Sequence, residues 1–287
     1  MEKPDQVFWG TGMPPIRRLG IADLSASMAL AASRGWNVED RTWSLLLEIG
    51  EVYGVDDPTG GLAGTITMVR YNDAIATIGM MLVAAQRARQ GLGLALFRHV
   101  VDQATDATLI LYATGDGKRI YEKVGCLGVG QVPALIGRFR QDPDGLAEQT
   151  RPVVESDLDR IIQVDAAAFG AGRAPVLRRL FTLAERIRVV EADGRITGYA
   201  VASRDGSFAV IGPVVAPNIV AAQALIVGLA TATDGLMRLD LHNQDLADWC
   251  RARGLWQVTS TTFMVRGNWP LAGDRDRLYA PASLAVG

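Results

Sequence analysis

The stretch Ile78–Phe97, IGMMLVAAQRARQGLGLALF, gathers residue types suited to holding an anion. An apolar run ends near Val83, a short segment carries Arg87 and Arg89, and Gly91 and Gly93 open a helical pattern. The first turn of a helix has N–H groups with no intrahelical partner, and the helix dipole places positive potential there. Glycine lets a phosphate approach the backbone, and the arginines supply charge that steers a polyanion in. One helix terminus contributes only ~0.3–2 kcal/mol, so tight binding must use several N–H groups and a second part of the ligand. The spacing is not that of a dinucleotide-binding G-x-G-x-x-G, because Leu96 stands three residues after Gly93. GDGK at 115–118 fails the phosphate-loop pattern on spacing and on Arg119. A plain glycine-containing helix start is the competing reading.

A second chemical feature is IYEKVGC, 120–126. It places Tyr121 on a short helix, four residues before a Gly125 stop and directly after an apolar strand at 107–114. A phenol with a pKa near 10 can protonate a leaving group. Packing is the ordinary role of such a residue. Cys126 reads as a packed thiol rather than a nucleophile.

These residues need a frame, and the periodicity supplies one. Ile16–Leu19 reads as a short strand, Asp23 as the N-cap of a helix to Ser33, and 39–49 as a second helix. DDPTGG, 56–61, is a hairpin turn leading to strands at 61–70 and 74–83. Helix 91–103, strand 107–114, helix 117–124 and strand 131–140 complete the first half. QDPDGLAEQT, 141–150, has no period and reads as a linker. The order then recurs: strand 151–154, helices 156–168 and 175–184, strands 186–191, 196–203 and 208–215, a helix from 218, strand 236–241, helix 244–253 and strand 258–266. The fold class is α/β (α+β): two tandem units, each a mixed, mostly antiparallel sheet flanked by helices. The division is 1–140, linker 141–150, and 151–287, the last ending in a C-terminal tail.

Composition narrows the function classes. The chain has 287 residues, 49% hydrophobic and 21% charged, with net charge −2. Residues 1–150 carry 14 basic and 17 acidic side chains, and 151–287 carry 15 and 14. Neither half offers the basic surface that nucleic acid requires. Two cysteines and two histidines fit neither a disulfide framework nor a zinc site, so no metal is expected. No apolar run approaches the ~20 residues of a membrane span, and the polar start is not a secretory signal, so a cytoplasmic protein without membrane contact is expected.

Together, VAAQRARQGLG (83–93) and YEKVGC (121–126) resemble the GCN5-related N-acetyltransferase (GNAT) family, whose acyl-CoA loop reads V-x-P-x-x-R-G-x-G-x-G and is followed by a strand and Y-x-K-x-G-F. Ala85 stands where proline is usual, Ala88 where Arg or Gln is usual, and Cys126 where an aromatic is usual. GWN (35–37), IGMMLV (78–83), LYATGDGKRIYEKVG (111–125), AFGAGR (168–173), GPVVA (212–216) and MVRG (264–267) together resemble a bacterial subgroup of tandem GNAT proteins.

The resemblance implies acetyl transfer from acetyl-CoA to the amine of a small molecule by direct attack. It implies that Leu82 and Val83 pair with the pantetheine where strand 76–83 splays from strand 107–114. Arg87, Arg89, Gln90, Gly91, Leu92 and Gly93 would hold the pyrophosphate, and Tyr121 would be the general acid. Trp36 and Asn37, between the first two helices, would line the acceptor site. Glu48, Glu51 and Asp116 are the carboxylates considered as base; an amine of lowered pKa needs only solvent. In the second half VVAPNIVAAQA (214–224) has neither glycine nor cation, and Cys250 stands where Tyr121 stands in the first. That half is expected to lack an acyl-CoA site, with Arg173, His242 and Trp249 as possible acceptor-lining residues. Two other readings are a non-catalytic acyl-CoA-binding or sensing protein and a protein or peptide N-acetyltransferase. Oligomeric state stays open between monomer and homodimer.

Overall fold

A computed structural model describes residues 12, 14–36, 40–140, 145–206, 208–231, 233 and 235–287; the side chains of Asp116 and Asp205 also lie outside the description. In the first half the elements run β1 (Arg17–Arg18), α1 (Leu24–Ser33), α2 (Asp40–Ile49), β2 (Glu51–Asp56), β3 (Leu62–Arg70), β4 (Ile75–Val83), α3 (Leu92–Ala104), β5 (Thr108–Ala113), α4 (Gly115–Glu122) and β6 (Leu127–Gly137). The second half repeats the order: β7 (Thr150–Pro152), α5 (Leu158–Phe169), α6 (Ala174–Leu183), β8 (Ala184–Ala192), β9 (Arg195–Asp205), β10 (Phe208–Val215), α7 (Ile219–Ala230), β11 (Leu236–Asp240), α8 (Gln244–Ala252) and β12 (Leu255–Arg266). A further strand, β13 (Leu278–Ala280), follows where the sequence shows only a tail.

Most element boundaries fall within a few residues of the sequence expectation. Asp23 differs in role. It closes a 3-10 turn at 21–23 by accepting from the Gly20 N–H at 2.9 Å, and its carboxylate pairs with Arg17 at 2.7 Å, so it does not cap α1 with its side chain. β6 begins at Leu127, before the expected Gln131, because pairing with β12 keeps its glycine-containing start extended.

The chain forms two compact units. The first comprises residues 1–69 and 78–105, the second 70–77 and 106–287. In the first, β1, β2 and β3 pair antiparallel, with Arg17 opposite Gly54 and Glu51 opposite Met68. Its core holds Trp43, Leu46, Ile66, Met68, Leu92, Leu96 and Phe97, each fully removed from water. Burying a side chain of this size contributes ~1.5–3 kcal/mol, which is why α2 and α3 show their apolar faces at helical spacing.

In the second unit the strands follow the order β5-β12-β6-β11-β10-β9-β8-β7, with β13 paired to β10. β10 and β11 are parallel and the other pairs antiparallel. Two strands are exchanged between the halves. β12 lies beside β5, with Phe263 opposite Tyr112, while β6 lies beside β11, with Leu135 opposite Leu239. β6 and β12 also pair with each other, from Leu255 opposite Gly137 to Val265 opposite Leu127. This exchange is why 106–137 joins the second unit. The division 1–140 and 151–287 therefore describes the repeat rather than the compact units, and it stands as a proposal about which half does the chemistry. In the segment expected to link them, residues 141–144 lie outside the described residues, and a 3-10 turn at Leu146–Gln149 runs directly into β7. α7 is apolar on all sides because the core of β9, β10 and β11 surrounds it, with Leu225, Ile226 and Leu229 buried.

Candidate active site

β4 is not a regular strand. Met80 takes φ +46° inside it, a left-handed conformation that non-glycine residues rarely adopt. The buried Thr65 hydroxyl donates to the Met80 carbonyl at 3.0 Å and holds the break in place. Backbone strain of this kind costs ~1–3 kcal/mol and clusters at functional sites. Beyond the break Leu82 is buried and Val83 half-buried. The Ala84 N–H donates to the Ala63 carbonyl at 2.8 Å, after which one 3-10 turn, Ala85–Arg87, leads toward α3.

Gly91 is the N-cap of α3, with φ +84° and nothing within 4 Å of where a Cβ would stand. Any other residue is strained there by φ, and its side chain would fill open space at the helix end. No side chain caps α3. Its first turn, from Leu92 and Gly93 onward, therefore keeps N–H groups that a helix cannot satisfy internally. Gln90 donates through Nε2 to the Gln86 carbonyl at 3.1 Å, and its Oε1 is buried with no hydrogen-bond partner. Arg89 is exposed, with φ +62°.

Arg87 corrects the sequence expectation. Its guanidinium is buried and grips Asp57 with two bonds, Nε to Oδ2 at 2.8 Å and Nη2 to Oδ1 at 2.7 Å. Asp57 also accepts the Thr59 N–H and hydroxyl at 2.9 and 2.7 Å. The guanidinium beside it holds the Asp57 carboxyl well below the usual range. Arg87 thus ties the 84–91 loop to the β2–β3 turn instead of presenting charge to a phosphate. Its partner stands thirty positions earlier in the chain, which motif spacing does not disclose.

Tyr121 belongs to the second unit, on α4, directly after β5. It is buried, and burial, with Cys126 beside it, pushes its phenol above the ordinary range, so it stays protonated at neutral pH. The buried Cys126 thiol is pushed up to about 11 by burial, which leaves it un-ionised and weakly nucleophilic.

The remaining expected residues are dispersed. Trp36 is exposed, and its backbone N–H donates to the Ala31 carbonyl at 3.0 Å. Asn37 lies outside the described residues, as does the Asp116 side chain. Glu48 is exposed on α2. Glu51 accepts from the Tyr53 hydroxyl at 2.7 Å and lies 3.5 Å from Arg18, so it is already engaged. Arg173 is not a lining residue. It is fully buried, bidentate on Asp165 at 2.7 and 2.9 Å, and also donates to the Gly287 carbonyl. Trp249 packs on Phe139 and carries the Arg253 guanidinium 4.0 Å over its ring. His242 meets the Tyr112 hydroxyl through Nε2 at 2.9 Å, a partnership the sequence reading missed. Among the described residues, no group of three or more His, Cys, Asp or Glu side chains is placed to hold a metal ion.

The second half carries the same frame with its openings closed. Ile211-Gly212-Pro213-Val214 repeats Ile78-Gly79-Met80-Met81 in position, and β10 also breaks register between Ile211 and Val214. There, however, β13 pairs with the broken strand, Ala280 opposite Val214 and Leu278 opposite Val215. The Ala216 N–H donates to the Arg277 carbonyl at 2.9 Å, and the His242 N–H to the Tyr279 carbonyl at 2.9 Å. A Cβ on Gly212 would stand 2.3 Å from the Pro281 carbonyl, so only glycine admits this segment. The helix that follows, α7, is capped by its own Asn218, which accepts the Ala221 N–H at 3.0 Å.

Comparison with known proteins agrees with this frame. Residues 161–280 match the model of the acetyltransferase (GNAT) domain, a span that falls in the half without a glycine-led helix. A Bacillus subtilis protein named as the uncharacterized N-acetyltransferase YitH is 27% identical over 225 residues, covering 77% of this chain and 79% of that protein. The crystal structure of a putative acetyltransferase from Pyrococcus horikoshii superposes with a TM-score of 0.80 at 20% identity over 98% of each chain. A tandem GNAT protein from the clavulanic acid biosynthesis pathway superposes with a TM-score of 0.63 at 13% identity, over 88% of this chain and 98% of that one. Fold, domain match and relatives agree: residues 161–280 match a GNAT acetyltransferase domain, and over most of its length the chain is similar to N-acetyltransferases.

Proposed function

We propose that the chain transfers an acetyl group from acetyl-CoA to the amine of a small molecule, using one acyl-CoA site carried by the first half. The reading rests on one observation: the helix after the broken strand β4 is led by Gly91 with open space before it, whereas its second-half counterpart is capped by Asn218. Leu82 and Val83 would pair through their backbone with the pantetheine arm. The N–H groups of α3 and of the Arg89–Gly91 turn would take the pyrophosphate, Gln90 offers a carbonyl without a donor, and Arg89 adds charge from the surface. Arg87 acts by holding the loop.

The amine nitrogen attacks the thioester carbonyl carbon, and the oxygen takes up negative charge that backbone N–H groups stabilise. The C–S bond then breaks as Tyr121 gives its proton to the sulfur, and the amine loses its extra proton to solvent. A phenol kept neutral by burial suits that donation. Near-balanced surface charge supports a small acceptor over a polyionic one.

The test is calorimetric titration with acetyl-CoA, followed by coenzyme A release across a panel of small amines. The expected results are one acetyl-CoA per chain and release with at least one amine. Two sites per chain, or binding with no release on any amine, would refute the reading.

A further inference from the structure

Within the 70–77 and 106–287 unit, the segment 272–287 is fastened at both ends and crosses the broken strand β10 between them. At its start, Gly273 lies against the end of α5, where a Cβ would stand 2.4 Å from the Gly170 nitrogen. The Asp274 N–H donates to the Ala167 carbonyl at 2.9 Å, and the Arg275 guanidinium lies 4.2 Å over the Phe169 ring. These contacts fix one end of the segment on α5.

The middle is β13. Leu278, Tyr279 and Ala280 are buried, and the strand meets β10 at Val214 and Val215. Three residues make too few hydrogen bonds to hold as a strand unaided. The far end supplies the hold, and it returns to α5. The Ala282 N–H donates to the Gly287 carbonyl at 3.0 Å, and the Val286 and Gly287 N–H groups to the Ser283 carbonyl at 3.3 and 2.9 Å. Ser283 Oγ accepts the Ala285 N–H at 3.2 Å. Residues 282–287 thus close into a turn, and two side chains grip its carbonyls. The Tyr71 hydroxyl donates to Val286, and Arg173 donates to Gly287. Arg173 is aimed by Asp165, which takes its Nε and Nη2 at 2.9 and 2.7 Å. The Tyr71 ring packs edge-on against Phe169, with centres 4.9 Å apart. Gly287 has φ +76°, and a Cβ there would stand 3.0 Å from Thr77 Cγ2 and 3.1 Å from Phe169 Cε2. Only glycine fits that place without strain. Phe169 therefore meets the segment at both ends, Arg275 at one and Gly287 at the other.

We propose that residues 275–287 are a strap across the break in β10, with the 282–287 turn as its latch. Seated on Tyr71 and Arg173, the latch keeps β13 in place; when it lifts, β13 leaves with it. Opening uncovers the Ala216 and His242 N–H groups, which β13 otherwise occupies through the Arg277 and Tyr279 carbonyls. The second half is then closed by a local, reversible contact, one of the small cooperative openings that folded chains undergo below global unfolding. The strap does not depend on the acetyl-transfer reading.

The test is amide hydrogen exchange of the full chain, read residue by residue by NMR. In the unmodified protein Ala216, His242, Ala282 and Gly287 should share one protection factor, about tenfold or more below that of Leu241. Leu241 is the reference because its N–H, next to His242 in sequence, donates to the Pro133 carbonyl at 3.0 Å. Protection of the four equal to that of Leu241 would overturn the strap. Tyr71→Phe removes the latch hydroxyl and keeps the ring, and Gly287→Ala crowds the latch itself. Both should speed exchange at all four amides about tenfold or more while Leu241 stays within about twofold. Faster exchange at Ala282 and Gly287 alone would show the tail fraying without β13. Equal acceleration at Leu241 would show general loosening. Either outcome, or no change in both variants, overturns the proposal.

Discussion

β4 with α3 and β10 with α7 are two versions of one device. Each strand breaks just after an internal Ile-Gly pair, and each is followed by a helix. In the first version the helix starts at a glycine with open space before it. In the second, β13 covers the broken strand and Asn218 caps the helix. A backbone that must answer its own polar groups has two ways to do so: leave them for a ligand or satisfy them within the chain. The difference shows that a duplicated fold can retain its shape while one copy exchanges a ligand site for internal hydrogen bonds.

Paired substitutions can break this comparison. The largest expected effect is at the helix after the second-to-last strand of each repeat, α4 and α8, where Tyr121 corresponds to Cys250. Tyr121→Phe should lower kcat about 10²–10⁴-fold with little change in acetyl-CoA affinity, whereas Cys250→Ser should leave kcat within about twofold, since Cys250 is a buried packing thiol pushed up to about 12 by burial. Steady-state kinetics on a validated amine decides it, and equal losses would show that the second copy takes part in the chemistry.

Arg87→Ala comes next. It leaves the Asp57 carboxylate buried without its cation, at a cost of about 3 kcal/mol. Asp57 has a depressed folded pKa, so its pairing stabilises the fold fully above the ordinary carboxylate range and is lost as pH falls through the folded value. The deficit of Arg87→Ala relative to the unmodified protein should therefore be largest at neutral pH and shrink below about pH 4, where the unpaired carboxyl takes up a proton. Thermal melts across pH would show this; a deficit independent of pH would mean that Arg87 acts by packing alone.

The smallest pair concerns the helix starts. Gly91→Val should weaken acetyl-CoA about tenfold or more, near 1.4 kcal/mol. Asn218→Ala should leave acetyl-CoA affinity unchanged and cost about 1 kcal/mol of stability through the lost cap. Calorimetry and melting curves separate the two. Weakened acetyl-CoA binding in Asn218→Ala would place ligand at α7.

The order of strands and helices was legible because alternation and 3.6-residue periodicity are local properties, and both repeats show them clearly. The glycine-led helix was legible for the same reason. Arg87 was read as a ligand to phosphate because its partner, Asp57, lies across a hairpin that sequence spacing cannot weigh. The Met80 break left no sequence signal, since methionine has no preference for positive φ. β13 was missed because three residues carry no periodicity, and its pairing is set by the gap it fills in β10. Arg275 and Tyr112 went unnoticed because only the fold brings their neighbours together. The exchange of β6 and β12 was equally hidden: alternation says which face of a strand is apolar, but not which edge it meets.

That exchange also sets the timing of synthesis. β5 emerges from the ribosome at residue 113, but the strand that pairs with its edge is complete only at Arg266. At about 5–20 residues per second, the first half waits on the order of ten seconds or more with that edge unpaired. An open strand edge invites association with other chains. The nascent protein thus depends on staying shielded through most of its translation, and mutations that slow elongation between the two halves would lower its yield without altering a single contact in the finished molecule.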